Sequence, residues 1–83
     1  MKLLYFAWVR ERIGKAEEEI ALPAEIDTIS DLIAWLAARD EAGAYAFQEP
    51  EVIRAAIDRT HASHDMPVAG AEEIAFFPPM TGG

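Results

Sequence analysis

Apolar positions along this chain recur with two different periods. After Lys2, every residue to Val9 is apolar, in two interleaved sets: Leu3, Tyr5, Ala7 and Val9, then Leu4, Phe6 and Trp8. Side chains in a strand alternate between faces, so the run predicts a strand that is apolar on both sides. Such a strand is either central in a sheet or meets a partner with its second face. Gly14 and Lys15 predict a loop, and Glu17 to Leu22, with Ile20 and Leu22 facing one way, predicts a second strand. Together the two runs read as an antiparallel hairpin.

The period then changes. Pro23 closes the second run, and Thr28 with Asp31 three residues on forms a capping-box-like start signal, Asp standing where Glu or Gln is preferred. Ile29, Leu32, Ile33 and Leu36 follow at the spacing of one helix face. The predicted helix runs to about Glu41, with Gly43 as its stop, and is about 20 Å long at 1.5 Å per residue. That length lies diagonally across a small sheet.

Ala44 to Pro50 is mixed and predicts at most one helical turn. Val52 to Ile57 predicts a third strand, turned at Asp58-Arg59 into Thr60 to Ala62. Pro67, Gly70, Glu72 and Glu73 mark a loop before the last strand, Ile74 to Phe77, which Pro78-Pro79 ends because proline cannot donate to the ladder. If the first and last strands pair in parallel, the crossover between them is supplied by the helix. The expected fold is α+β: a β-grasp, ubiquitin-like domain over residues 1–83, with four to five strands in a mixed sheet packed on one main helix. One sheet face stays open, and residues 78–83 form a flexible tail ending in Gly-Gly.

Composition narrows the possibilities. At 83 residues and 52% hydrophobic, the chain supports one core. It has no cysteine, hence no disulfide, thiolate metal site or cysteine nucleophile, and a reducing, cytoplasmic home is expected. Charged Arg10, Glu11 and Arg12 interrupt the opening apolar run, and no run approaches 18 residues, so neither a signal peptide nor a membrane span is expected. The net charge of −8 repels a phosphate backbone and argues against nucleic acid. Such acidity also suits a basic partner surface, although solubility alone accounts for it.

Catalytic chemistry is thin. His61 and His64 lie three apart with Asp65 beside them, but strand-and-loop spacing does not put both imidazoles on one face, and a third zinc ligand is wanting. No metal site is expected, and these read as surface histidines. No phosphate loop follows a strand and no serine occupies a nucleophile elbow. The informative segment is the end, Ile74-Ala75-Phe76-Phe77-Pro78-Pro79-Met80-Thr81-Gly82-Gly83. Gly-Gly closes a random chain about 0.5% of the time at usual glycine frequency. Without side chains it can thread a narrow channel into another protein. Its terminal carboxylate can be adenylated and then converted to a thiocarboxylate, a soft nucleophile able to donate sulfur. A chain without cysteine can carry sulfur only by such a route.

The segments Leu4-Tyr5-Phe6-Ala7-Trp8-Val9-Arg10-Glu11 and Glu73 through Gly83 closely resemble the family of molybdopterin synthase small subunits, which are ubiquitin-like sulfur carriers. In that family the opening reads F-A-x-x-R-E and the tail F-F-P-P-[VM]-[ST]-G-G, and the lengths between them fit. The resemblance implies that an E1-like adenylating enzyme uses ATP to activate Gly83. A sulfur donor system then forms the thiocarboxylate, with no permanently bound cofactor. Met80, Thr81 and Gly82 would enter the active site of the large subunit, which holds the catalytic side chains in a heterotetramer; the carrier alone catalyses nothing. Phe6 and Phe77 match open-face positions that meet the large subunit and, alternately, the activating enzyme. Strand parity selects the same pair, because Leu3, Tyr5, Ile74 and Phe76 point to the core. Arg10 belongs to the R-E pair and is expected near the docked tail. Two departures stand out: Ile57-Asp58-Arg59 replaces an Asn-containing turn preceded by valine, and His61 stands where the family has an interface leucine.

Other functions fit parts of the pattern. A carrier for thiamine or tRNA thiolation shares the chemistry, although the thiamine carrier typically lacks F-F-P-P. A ubiquitin-like modifier would join Gly83 to target lysines, and a plain β-grasp binding module would be indifferent to loss of Gly82-Gly83.

Overall fold

The computed structural model describes residues 1–79. The elements are β1 (Lys2–Tyr5), α1 (Ala7–Ile13), β2 (Glu17–Glu19), α2 (Ile29–Arg39), α3 (Glu41–Ala46), a 3-10 turn (Pro50–Val52), β3 (Arg54–Ile57), β4 (Thr60–Ala62) and β5 (Glu73–Phe77). The five strands form one sheet in the order β2-β1-β5-β3-β4. β1 and β5 are parallel, with Leu3 opposite Ile74 and Tyr5 opposite Phe76, and the other neighbours are antiparallel. The chain between β1 and β5 carries α2 as the crossover, which is the β-grasp topology expected from the pattern.

Alternation sorts the sheet into two faces. Leu3, Tyr5, Ala55, Ile74 and Phe76 are buried, and they share a core with Ile29, Leu32, Ile33 and Leu36, the predicted stripe of α2. Phe47 meets Phe76 edge-on at 5.4 Å between ring centroids and closes the core beside β5. The start of α2 is the predicted capping box: the Asp31 N–H donates to Thr28 Oγ1 at 3.2 Å, and the Thr28 N–H donates to Asp31 Oδ2 at 3.2 Å. The Asp27 N–H donates to the same carboxylate oxygen at 3.1 Å. These bonds hold the Asp31 carboxyl below the usual carboxylate range.

The opening strand is shorter than the alternation predicts. It stops at Tyr5, and Ala7–Ile13 is helical rather than extended to Val9. Phe6 is still extended (φ −125°, ψ 155°), Ala7 takes φ 52°, and the chain turns into a helix within one residue. Val9 and Ile13, four apart, are the buried positions of that helix. The pairing of β1 with β2 therefore holds, but α1 separates the strands and the connection is no tight hairpin. Gly14 at φ 90° ends α1 with its N–H donating to the Arg10 carbonyl.

Other boundaries also move. β2 covers Glu17–Glu19 only, and Ile20 and Leu22 pack against the core from beyond the strand. α2 stops at Arg39, because Asp40 is extended and caps α3, accepting from the Gly43 N–H at 2.7 Å. Gly43 is no stop: it lies inside α3 against α2, where a Cβ would fall 1.9 Å from the Leu36 carbonyl oxygen. β3 begins at Arg54 rather than Val52, since Pro50–Val52 winds into a 3-10 turn. Asp58 and Arg59, at φ 48° and 72°, make the two-residue turn into β4, the paired left-handed geometry of a type I′ hairpin.

Candidate functional site

The sheet face away from the helices has an apolar floor. Leu4 stands opposite Ala75, and Ala75 opposite Ala56. Phe6 and Phe77 complete a groove of about 450 Å³ at the end where β1 and β5 finish. Lys2, Arg59 and Glu73 rim its other end. Phe6 is 47% exposed, a large cost for an aromatic ring with no partner. Its position is well determined: the Phe6 N–H donates to the Phe76 carbonyl at 3.1 Å, and its own carbonyl accepts from the Val9 and Arg10 N–H groups at 3.1 and 3.3 Å. The residue is thus both the last rung of the β1–β5 pairing and the N-cap of α1. Pro78 and Pro79 leave β5 beside it, both half-buried.

The expected site residues come together in part. Phe6 and Phe77 share the groove, and the His61 ring lies edge-on to Phe77 at 6.5 Å between centroids. Arg10 is exposed on α1 and does not line the groove. Met80, Thr81, Gly82 and Gly83 lie outside the described residues. Trp8, grouped with the outward strand positions by alternation, sits on α1 and stacks on the Arg12 guanidinium, which Tyr45 of α3 flanks on its other side, at 4.4 and 4.6 Å. Leu4 shares the parity of Phe6 and Ala75 that of Phe77, so alternation places both outward, whereas Ala56 joins the floor only through the β3–β5 register.

The two histidines do separate work. His61 faces Phe77, while His64 Nε2 lies 2.7 Å from the Ile53 carbonyl. Among the described residues, no group of three or more His, Cys, Asp or Glu side chains is placed to hold a metal ion. Nor is any helix among them long and apolar enough to cross a membrane.

The other polar constellation lies on the opposite face of the sheet. The Tyr5 hydroxyl donates to Glu18 Oε2 at 2.6 Å, and Arg39 reaches across from α2 to the same carboxylate. Hydrogen bonds from Arg39 hold the Glu18 carboxyl low against the opposing effect of burial. Burial, then the neighbouring Glu18, pushes the Tyr5 phenol far above its ordinary range. With its phenol proton held by Glu18, this network ties β1, β2 and α2 together.

Comparison with known proteins adds to this geometry. Residues 3–83 match the model of the ThiS family. The chain is 39% identical over 83 residues to the molybdopterin synthase sulfur carrier subunit of Escherichia coli, covering 100% of this chain and 99% of that protein. Its identity to the protein of the same name from Haemophilus influenzae is 34%, with the same coverage. Among solved structures, it matches a putative molybdopterin converting factor, subunit 1, from Pyrococcus furiosus with a TM-score of 0.73 at 28% identity, over 95% of each chain. It also matches SAMP1 from Haloferax volcanii with a TM-score of 0.69 over 100% of this chain and 98% of that one; at 22% identity this likeness carries the fold alone.

Proposed function

The chain belongs to the ThiS family, and on that footing we propose that it is the sulfur-carrier subunit of a molybdopterin synthase, serving molybdenum cofactor biosynthesis through the carboxylate of Gly83. The observation that carries this reading is end-to-end similarity, at 39% identity, to a protein of that name, with no part of either chain left over beyond a residue or so.

The Gly83 carboxylate attacks the α-phosphorus of ATP on an E1-like activating enzyme, giving the acyl adenylate and releasing pyrophosphate. A donor at the sulfide oxidation level displaces AMP and leaves the thiocarboxylate. That sulfur then attacks an electrophilic carbon of the pterin precursor in the large subunit, forming a C–S bond as a C–O bond at the same carbon breaks and its oxygen departs with the bonding pair, to be protonated. Water cleaves the acyl–sulfur bond, so the sulfur stays on the precursor and Gly83 returns to carboxylate. Activation is needed because a carboxylate is a poor electrophile, whereas AMP is a good leaving group. Met80, Thr81 and Gly82 are the segment proposed to enter the partner's channel.

The carrier's folded part positions that tail. Phe6 and Phe77 flank the strand end from which Pro78 and Pro79 depart, so a partner covering the open groove also receives the tail. The large subunit and the activating enzyme are proposed to use this face in turn. A reducing cytoplasm is the compartment this cysteine-free chain fits.

Intact mass spectrometry tests the carrier chemistry. After incubation with activating enzyme, ATP and a sulfide donor, the chain should gain the mass of one oxygen replaced by sulfur, mapped to Gly83. A chain lacking Gly83 should gain nothing. No gain, with an activating enzyme that loads its own carrier in the same reaction, overturns the reading. A loaded chain that forms no molybdopterin with the large subunit reassigns the pathway.

A further inference from the structure

We propose that Arg54 is an orienting contact of the docking face, taking a carboxylate of the large synthase subunit. This inference rests on the docking role given to that face above.

Arg54 stands directly opposite Phe77 in the β3–β5 ladder, and is therefore on the same face as Phe77 and Ala56. It is exposed, and with His61 it lines a shallow hollow beside Phe77. What sets it apart is an unpaired charge on this face. The chain carries 15 Asp and Glu against 7 Lys and Arg, so a cation has carboxylates on offer nearly everywhere. Lys2, Lys15, Arg39 and Arg59 each have one within 4.0 Å, and Arg12 is held between Trp8 and Tyr45. Arg54 and Arg10 have neither such a carboxylate nor such a ring contact among the described residues, and Arg10, on α1, does not line the groove. Glu51 lines the same hollow as Arg54 without pairing to it.

The opposite flank has the reverse character. Glu17, on the same face, stands across from Leu4 on edge strand β2, and Glu19 stands across from Lys2. Lys2 and the N-terminal ammonium pair with these two carboxylates, each at 3.3 Å, so the docking face is apolar in the middle, ion-paired along β2 and cationic at Arg54. A partner carboxylate over β3 meets an unpaired cation, whereas rotation by half a turn sets it over a flank whose cations are already paired. Complementarity of this kind sets register and association rate more than total affinity. A guanidinium suits the task because its planar donors take a carboxylate through two bonds.

Association kinetics of the full chain with the large subunit, at low and high salt, test this for R54E, R54K and F6A. At low salt R54E should associate about tenfold more slowly than wild type, as expected when a steering charge is reversed. The deficit should shrink at high salt, and R54K should associate at close to the wild-type rate. Arg54 is exposed, so unchanged circular dichroism should accompany these values. An R54E rate equal to wild type at low salt overturns the inference, and so does a deficit that high salt leaves untouched, which marks a steric effect. If wild type does not bind, or F6A binds as wild type does, the docking reading falls and this inference with it. Normal wild-type binding with an indifferent R54E removes the Arg54 inference alone.

Discussion

Arg39 holds the Glu18 carboxylate with two parallel hydrogen bonds, Nη1 to Oε1 at 3.0 Å and Nη2 to Oε2 at 2.8 Å. The pair joins the last turn of α2 to the edge strand β2, and the Tyr5 hydroxyl completes it from β1. Because the folded chain holds the Glu18 carboxyl below its ordinary range, the stabilisation is fully present above the unfolded-chain value of roughly 4.3. It is lost as pH falls through the lower folded value. Glu18→Gln should cost on the order of 1–3 kcal/mol at pH 7, since Arg39 loses its charged partner. It should also flatten the acid limb of the melting-temperature profile. Thermal melts from pH 3 to pH 7 check both, and a variant profile parallel to wild type on the acid side would refute the assignment.

At Gly43 α3 packs directly against the backbone of α2. A Cβ there would meet the Leu36 carbonyl oxygen at 1.9 Å and its carbon at 2.9 Å, and the obstacle is backbone, which no rotamer change relieves. Gly43→Ala should therefore destabilise by about 3 kcal/mol despite the higher helix propensity of alanine, because the helices must part. Urea denaturation reads this as a lower midpoint. A midpoint at or above wild type would show that α3 moves freely against α2.

That same glycine shows what was legible in the chain and what was not. The apolar stripe of α2, its capping box and the parity of Ile74 and Phe76 are local patterns, and the structure carries them unchanged. Gly43 reads locally as a helix stop, but its reason for being glycine is a neighbour seven residues back that only tertiary packing brings near. The run Leu3 to Val9 misled for a related reason: alternation persists by chance across Ala7, where a positive φ turns strand into helix. Val9 and Ile13 four apart carried the helical signal, hidden under the stronger strand pattern. Parity marks Phe6 and Phe77 as outward, and both line the groove, whereas the place of Ala56 and Arg54 beside them needs the strand register.

The β3–β4 turn asks left-handed backbone of two residues that are not glycine. Arg59, at φ 72°, is strained there, and its exposed pairing with Glu73 at 3.4 Å returns little. Arg59→Gly should accordingly stabilise by about 0.5–1 kcal/mol. Asp58 differs, because its Oδ1 accepts from the Glu72 and Glu73 N–H groups, both at 2.9 Å, and so anchors the start of β5. Asp58→Ala should lose about 1–2 kcal/mol. Denaturant midpoints of opposite sign for the two variants are the expected result, and a destabilised Arg59→Gly would overturn the strain assignment.

Phe6 provides the sharpest test of the proposed docking face, because it separates binding from folding. Its ring is about half exposed while its backbone bonds to Phe76 and α1 survive truncation. Phe6→Ala should therefore cost about 1 kcal/mol of stability or less, as half-burial of a phenyl ring implies. Binding to the large subunit should suffer more, by about 2 kcal/mol or some thirtyfold in affinity, as for a central aromatic anchor. Tyr45 supplies the control. It is 55% exposed, but it stands on α3 in the helical layer and does not line the groove. Tyr45→Ala should leave affinity unchanged, although it removes as much exposed aromatic surface. Calorimetric titration of both variants decides between a specific face and general hydrophobic attraction. Equal losses would assign the interaction to stickiness, and a loss confined to Tyr45→Ala would move the docking surface to the helices.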